Sequence, residues 1–273
     1  MSVERLLVEG MLDEAIRHLV AEVKAKPTDL ARRTTLFELL GFAGEWDRAE
    51  RQLDAIGHLD GGALTVFGVH AYRGLLAAER KRAKLFAEGL RPRFLLDPPE
   101  AVATHLEALD LARAGRGDEA RARIDAAAAG PEIRGDADGE AFEGLRDADD
   151  LLGPVLEVFA PAGYCWVPWE QVQFLEVPPP AGLRDLLWAP AKLASFDGQL
   201  GEVFLPCLYP GSAAEPDGAI RLGRVTDWRE QPGGLVRGAG RKLFLVGEEA
   251  RTLQEIGTLQ FWAGASTSPE VRS

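Results

Sequence analysis

The signature Gly-x-x-Asp-x-Ala occurs three times in the first half of the chain: Gly10-Met11-Leu12-Asp13-Glu14-Ala15, Gly44-Glu45-Trp46-Asp47-Arg48-Ala49 and Gly115-Arg116-Gly117-Asp118-Glu119-Ala120. The first two copies stand 34 residues apart. That is a period of helix-turn-helix units, which stack because no single unit buries its own apolar face. Each residue type has a local reason. Gly lets a helix turn out through a left-handed residue, Asp and Glu complement the exposed donors of the next helix start, and Ala permits close helix approach.

In the first copy Leu6 and Leu7 lie on the leading helix, Leu19 and Val23 continue the buried face after Ala15, and Pro27 ends the second helix. Leu53 and Ile56 follow Ala49 in the same way, and Ile124 and Ala127 follow Ala120 before Pro131. The spacing resembles the tetratricopeptide repeat, with weak matches at that family's early aromatic positions. Residues 1–128 are therefore expected to form a helical repeat module with a concave face. On the first helix of the second repeat, Arg33, Phe37 and Leu40 are candidates to line that groove, and structural core is the competing role for Phe37 and Leu40. The segment from Leu64 to Phe94 lacks the signature and reads as one long or broken helical pair. Its basic run Glu79-Arg80-Lys81-Arg82-Ala83-Lys84 suits a solvated face or an acidic partner peptide.

Past Ala129 the composition turns to Gly and acid: Glu132, Asp136, Asp138, Glu140, Glu143, Asp147, Asp149 and Asp150 against Arg134 and Arg146. Residues 129–152 read as an acidic linker or linking helix. A calcium loop is not predicted, because the required Gly and Glu positions are unfilled. Residues 153–262 change grammar again, with twelve of the seventeen prolines and five of the six tryptophans at or beyond Pro154. Strands are expected at Val155–Phe159, Leu186–Ala194, Glu202–Leu208, Ile220–Asp227, Lys242–Val246 and Thr258–Trp262, with a short helix from Glu170 to Val177. Gly238-Ala239-Gly240 is read as a tight turn. The fold class is α+β, a TPR-like helical module followed by a β-rich, barrel-like or curled-sheet module, with a disordered tail at 263–273.

Function classes narrow by elimination. A formal charge of -12 over 273 residues disfavours nucleic acid. Charges at Glu4, Arg5, Glu9, Asp13 and Glu14 interrupt any apolar leader, and no window approaches the length of a membrane span, so a cytoplasmic location without membrane contact is expected. Cys165 and Cys207 are expected to be buried thiols. Every His lies at or before His105, away from both cysteines, and no metal-ligand spacing occurs, so neither metal nor cofactor is predicted. The conspicuous set Trp166, Trp169, Arg184, Asp185, Trp188, Glu202, Tyr209, Arg224, Asp227, Trp228, Arg237 and Arg241 admits three roles. It suits a structural network, a protein-binding surface, or a catalytic pair in which Glu202 and Asp227 serve a carbohydrate-active hydrolase.

Several linked motifs extend the argument: Asp147-Ala148-Asp149-Asp150-Leu151-Leu152-Gly153-Pro154-Val155-Leu156-Glu157-Val158, Gly163-Tyr164-Cys165-Trp166-Val167-Pro168, Arg184-Asp185-Leu186-Leu187-Trp188, Gly201-Glu202-Val203-Phe204-Leu205-Pro206, Leu208-Tyr209-Pro210-Gly211-Ser212, Gly223-Arg224-Val225-Thr226-Asp227-Trp228 and Arg237-Gly238-Ala239-Gly240-Arg241. In this order they resemble the ImpE/TagJ family, also called SciE-type, accessory proteins of type VI secretion systems. The resemblance implies a cytoplasmic, non-enzymatic adaptor. Its implied partners are the small subunit of the contractile sheath and the AAA+ ATPase that dismantles contracted sheaths. Exposed apolar groove surface also leaves room for a homo-oligomer.

Overall fold

In each signature a glycine at positive φ ends one helix and starts the turn to the next: Gly10 at 75°, Gly44 at 69° and Gly115 at 76°. The computed structural model describes residues 2–127, 133–198 and 200–262, Leu200 by its backbone alone. The tail at 263–273 lies outside these. The helices are α1 (Val3–Val8), α2 (Leu12–Ala25), α3 (Leu30–Phe42), α4 (Trp46–Leu59) and α5 (Ala63–Glu88). After a two-residue strand β1 (Arg93–Phe94) come α6 (Glu100–Arg113) and α7 (Gly117–Ala127). Ala15, Ala49 and Ala120 are fully buried, as close packing of each helix on its predecessor requires. The expected pair between Leu64 and Phe94 is a single 26-residue helix ending at Gly89 in the left-handed conformation, so the 34-residue period does not continue past α4.

Residues 134–147, within the stretch 129–152 expected as an acidic linker or linking helix, instead form β2 (Arg134–Ala137), β3 (Glu140–Glu143) and β4 (Leu145–Asp147). Next come β5 (Val155–Ala160), β6 (Gly163–Pro168), β7 (Val172–Glu176), β8 (Trp188–Ser195) and β9 (Leu200–Pro206). The chain continues through α8 (Gly218–Arg221), β10 (Thr226–Gln231), β11 (Leu235–Gly240), β12 (Leu243–Val246), β13 (Glu249–Thr252), α9 (Leu253–Ile256) and β14 (Thr258–Phe261). Nine strands make one sheet in the order β1-β6-β5-β9-β8-β7-β14-β2-β3. It is open at β1 and β3, so the β-rich region is not a barrel. Among the described residues, β10 and β11 form a separate ribbon and β13-β12-β4 a third sheet.

Three local expectations change. Glu170 to Val177 is mostly strand β7, because Leu175 and Val177 point inward at period two and a register shift after Val172 lets that residue point inward as well. Ile220 to Asp227 divides between α8, capped by the Asp217 side chain on Ala219 N–H at 2.8 Å, and the start of β10. Gly238, Ala239 and Gly240 lie within β11, paired with Trp228, Asp227 and Thr226, rather than in a turn.

Alternation along β5 and β6 sorts the core into two layers. Val155, Phe159, Tyr164 and Trp166 join the helices in one cluster, which also contains Phe37, Leu40, Leu76, Trp188 and Tyr209. Leu156, Val158, Cys165 and Val167 join Trp169, Phe244 and Ile256 on the opposite face. The sheet thus fills the face of the helices that was expected to form an open groove. Phe37 and Leu40 are each 1% exposed, and the Phe37 ring lies 5.5 Å from Tyr72 and 6.0 Å from Trp188. They are core residues.

The signature turns themselves dock on the C-terminal region. A Cβ at Gly218 would overlap the Gly10 carbonyl oxygen, one at Gly44 would approach the Ala213 Cβ to 2.9 Å, and one at Gly117 would overlap Pro232. Glycine at these points is a requirement of backbone contact as well as of turning.

Candidate docking cleft and the buried network behind it

The basic run in α5 is not uniformly solvated. Glu79 and Arg82 share a face with Leu75, Leu76 and Leu85, and helical spacing carries both charges inward. Arg82 donates to the two Glu157 carboxylate oxygens at 2.8 and 2.6 Å and to the Leu208 carbonyl at 2.8 Å. Lys242 donates to Glu157 at 2.9 Å and lies 2.6 Å from Asp147. Tyr164 donates to Glu157 and Trp166 Nε1 to the Tyr164 hydroxyl, each at 2.6 Å. Trp188 Nε1 donates to Glu79 at 2.9 Å.

Burial opposes charge on Glu157, yet Arg82 and Lys242 overcome it and hold its carboxyl well below the ordinary range. Burial likewise pushes Asp147 up, to about 6, against the pull of Lys242 and with the push of Asp149. Asp149 accepts from Arg237 Nε at 2.7 Å, Gly238 N–H at 3.0 Å and Leu151 N–H at 2.8 Å. The acidic run therefore supplies acceptors for the ribbon through Asp149 and for α7 through Asp150, which accepts from Arg121 at 3.2 Å. Glu79, Arg82, Glu157 and Lys242 escaped sequence reasoning, although the register of α5 marked the first two.

The other singled-out residues divide between core and surface. Trp166, Trp169, Trp188 and Tyr209 are buried. Arg184 stacks over the Tyr72 ring at 5.4 Å and Asp185 accepts from Ala181 and Gly182 N–H. Arg224 donates to the Val8 carbonyl, and Arg241 forms a bridge with Leu208. Exposed Trp228 leans on Tyr209 at 5.8 Å. Arg33 is partly exposed and donates to the Pro27 carbonyl and to Gln52. Glu202 faces Lys192 across β8 and β9, whereas Asp227 lies on the separate ribbon and accepts from Arg229 and Trp228 N–H. The Arg229 bond holds the Asp227 carboxyl below its ordinary range, the reverse of what a general acid needs. The two carboxylates stand on different sheets.

An open, mostly apolar cleft of roughly 590 Å³ lies where α6 and α7 meet β4 and β12. Val102, Ile124, Leu145, Trp169 and Leu245 supply its walls, and Leu245 is an exposed large apolar residue. His105 also lines it. Burial drives the His105 imidazole down to about 4, a backbone bond at Leu151 opposing only in part, so the ring is neutral at pH 7. Among the described residues His105 Nε2 and Trp169 Nε1 have no partner. On the rim, burial raises the Glu170 carboxyl. Both thiols are buried as expected, no helix among the described residues is long and apolar enough to cross a membrane, and no group of three metal-binding side chains occurs among them.

Comparison with known proteins gives concordant results. Residues 139–260 match the ImpE protein family. The chain is 37% identical over 262 residues to the type VI secretion system accessory component TagJ of Pseudomonas aeruginosa, covering 96% of this chain and 91% of that protein. The crystal structure of protein VPA1032 from Vibrio parahaemolyticus superposes with a TM-score of 0.85 at 26% identity, covering 95% of this chain and 97% of that one.

Proposed function

Because this chain belongs to the family of ImpE and TagJ proteins, we propose that it is a non-enzymatic adaptor of a type VI secretion system that works in the cytoplasm. The observation that carries the proposal is identity to TagJ along nearly the whole chain rather than over one motif. The sheath small subunit and the AAA+ sheath-disassembly ATPase are the proposed partners. With the inner helical face filled by the sheet, the cleft between α6, α7 and β12 is the proposed seat for a partner's apolar anchor. Its walls are mostly apolar, with Arg146, Asp150 and Glu170 among them, and Leu245 lies exposed within it. Of the three groove candidates, Arg33 alone retains solvent contact, and an Arg33→Glu variant asks whether it contributes.

The test is coexpression of the tagged full chain with each proposed partner, followed by affinity capture at moderate salt. Capture of either one, lost in Leu245→Glu while the circular dichroism spectrum is unchanged, supports both function and site. Retention of neither partner removes the adaptor proposal. Capture undisturbed by Leu245→Glu moves the site elsewhere.

A further inference from the structure

Residues 61–72, Gly-Gly-Ala-Leu-Thr-Val-Phe-Gly-Val-His-Ala-Tyr, contain no Asp, Glu, Lys or Arg, although these types make up 27% of the chain. At that frequency about three would be expected in twelve positions if they were spread evenly. The stretch is nevertheless on the surface, forming the first turns of α5, with Leu64 at 90% and Phe67 at 76% exposure. No adjoining helix covers it, because the chain after α5 leaves through β1 instead of turning back as α2, α4 and α7 do. Leu64, Phe67, Gly68, Ala71 and Gly74 fall at i, i+3, i+4, i+7 and i+10, a single stripe along the helix.

Gly68 and Gly74 are the second peculiarity. Glycine is a poor helix former, and a mid-helix glycine usually marks a close neighbour. A Cβ at either position would meet nothing within 4 Å. Among the described residues no contact accounts for them.

We propose that this stripe is a self-association surface, packed in antiparallel fashion against the α5 stripe of a second copy about a two-fold axis. The stripe is large at one end and small at the other. A two-fold between Phe67 and Ala71 sets Leu64 of each copy opposite Gly74 of the other, and Phe67 opposite Ala71, so each bulky end enters a vacant one. Parallel packing would instead place bulk on bulk and leave the small ends facing each other.

Sedimentation equilibrium of the full chain over a concentration series tests this. The wild type populates a dimer that dissociates on dilution. Phe67→Glu weakens association by roughly 30-fold or more, the effect of losing a central anchor. Gly74→Leu separates association from folding. It raises the thermal stability of the dilute monomer, because leucine favours helix and meets nothing there, yet it weakens the dimer by filling the hole. A wild type that is monomeric throughout the series overturns the proposal. So does a dimer indifferent to both variants, or co-sedimentation of a monomeric wild type with anionic phosphatidylglycerol vesicles that Phe67→Glu abolishes.

Discussion

Arg82 of α5 and Glu157 of β5 form a two-pronged ion pair, at 2.8 and 2.6 Å, with both side chains out of solvent. The contact joins residues 75 positions apart and ties the helical half to the sheet. Truncating one member leaves the other charge buried without its main partner, which costs far more than the pair contributes. Arg82→Met is expected to lower stability by roughly 3–5 kcal/mol, read from urea midpoints at constant slope. The double variant Arg82→Met/Glu157→Leu is expected to recover part of that loss.

Gly218→Ala is expected to destabilise by roughly 1–3 kcal/mol, because its Cβ would enter the Gly10 carbonyl and force α8 away from the first signature turn. Gly182→Ala is the control. It has no neighbour within 4 Å and no positive φ, so its melting temperature should stay near that of the wild type.

Acid should act on two buried groups with opposite sign. His105 has a folded pKa of about 4 against an ordinary 6.5, so the unfolded chain takes up its proton first. Its contribution to stability is present above pH 6.5 and lost as pH falls toward 4. Asp147 has a folded pKa of about 6 against 3.8; its contribution is present below 3.8 and lost as pH rises through 6. Unfolding titrations between pH 4 and 7 should show a shallower acid loss in His105→Gln and a steeper one in Asp147→Asn.

Both cysteines should be silent toward a thiol reagent in the native state. Burial raises the Cys165 thiol and pushes Cys207 up to about 12, leaving little nucleophilic thiolate at neutral pH. Two equivalents should react after addition of denaturant. Rapid reaction of either thiol in buffer would contradict its placement in the core.

The helices were legible because Gly10, Gly44 and Gly115 announce their own turns, and β5, β8, β9, β12 and β14 because their apolar residues are bounded by Pro and Gly. What lay opposite the helices was not. Phe37 and Leu40 carry the pattern of an apolar face, and that pattern is the same whether a partner or the chain's own Trp188 covers it. The acidic run misled for a related reason. Asp147 and Asp149 read as solvated charge until Lys242, Arg237 and the Gly238 N–H, all distant in sequence, arrive beside them. Arg82 shows the converse, a basic residue whose register put it inward although its composition suggested a surface. For the cleft, Ile124 and Ala127 marked the apolar face of α7, but the facing walls come from strands far along the chain.

Helices and sheet share one core, in which Phe37 and Leu40 cluster with Trp188 and Tyr209 of the C-terminal half. Equilibrium urea unfolding of the full chain tests it directly, followed by far-ultraviolet circular dichroism for the helices and by fluorescence of the tryptophans, five of the six of which lie beyond residue 165. One transition with coincident midpoints in both signals is expected. Helix signal lost at lower urea than tryptophan burial, or the reverse, would mean two units that fold apart and would contradict it.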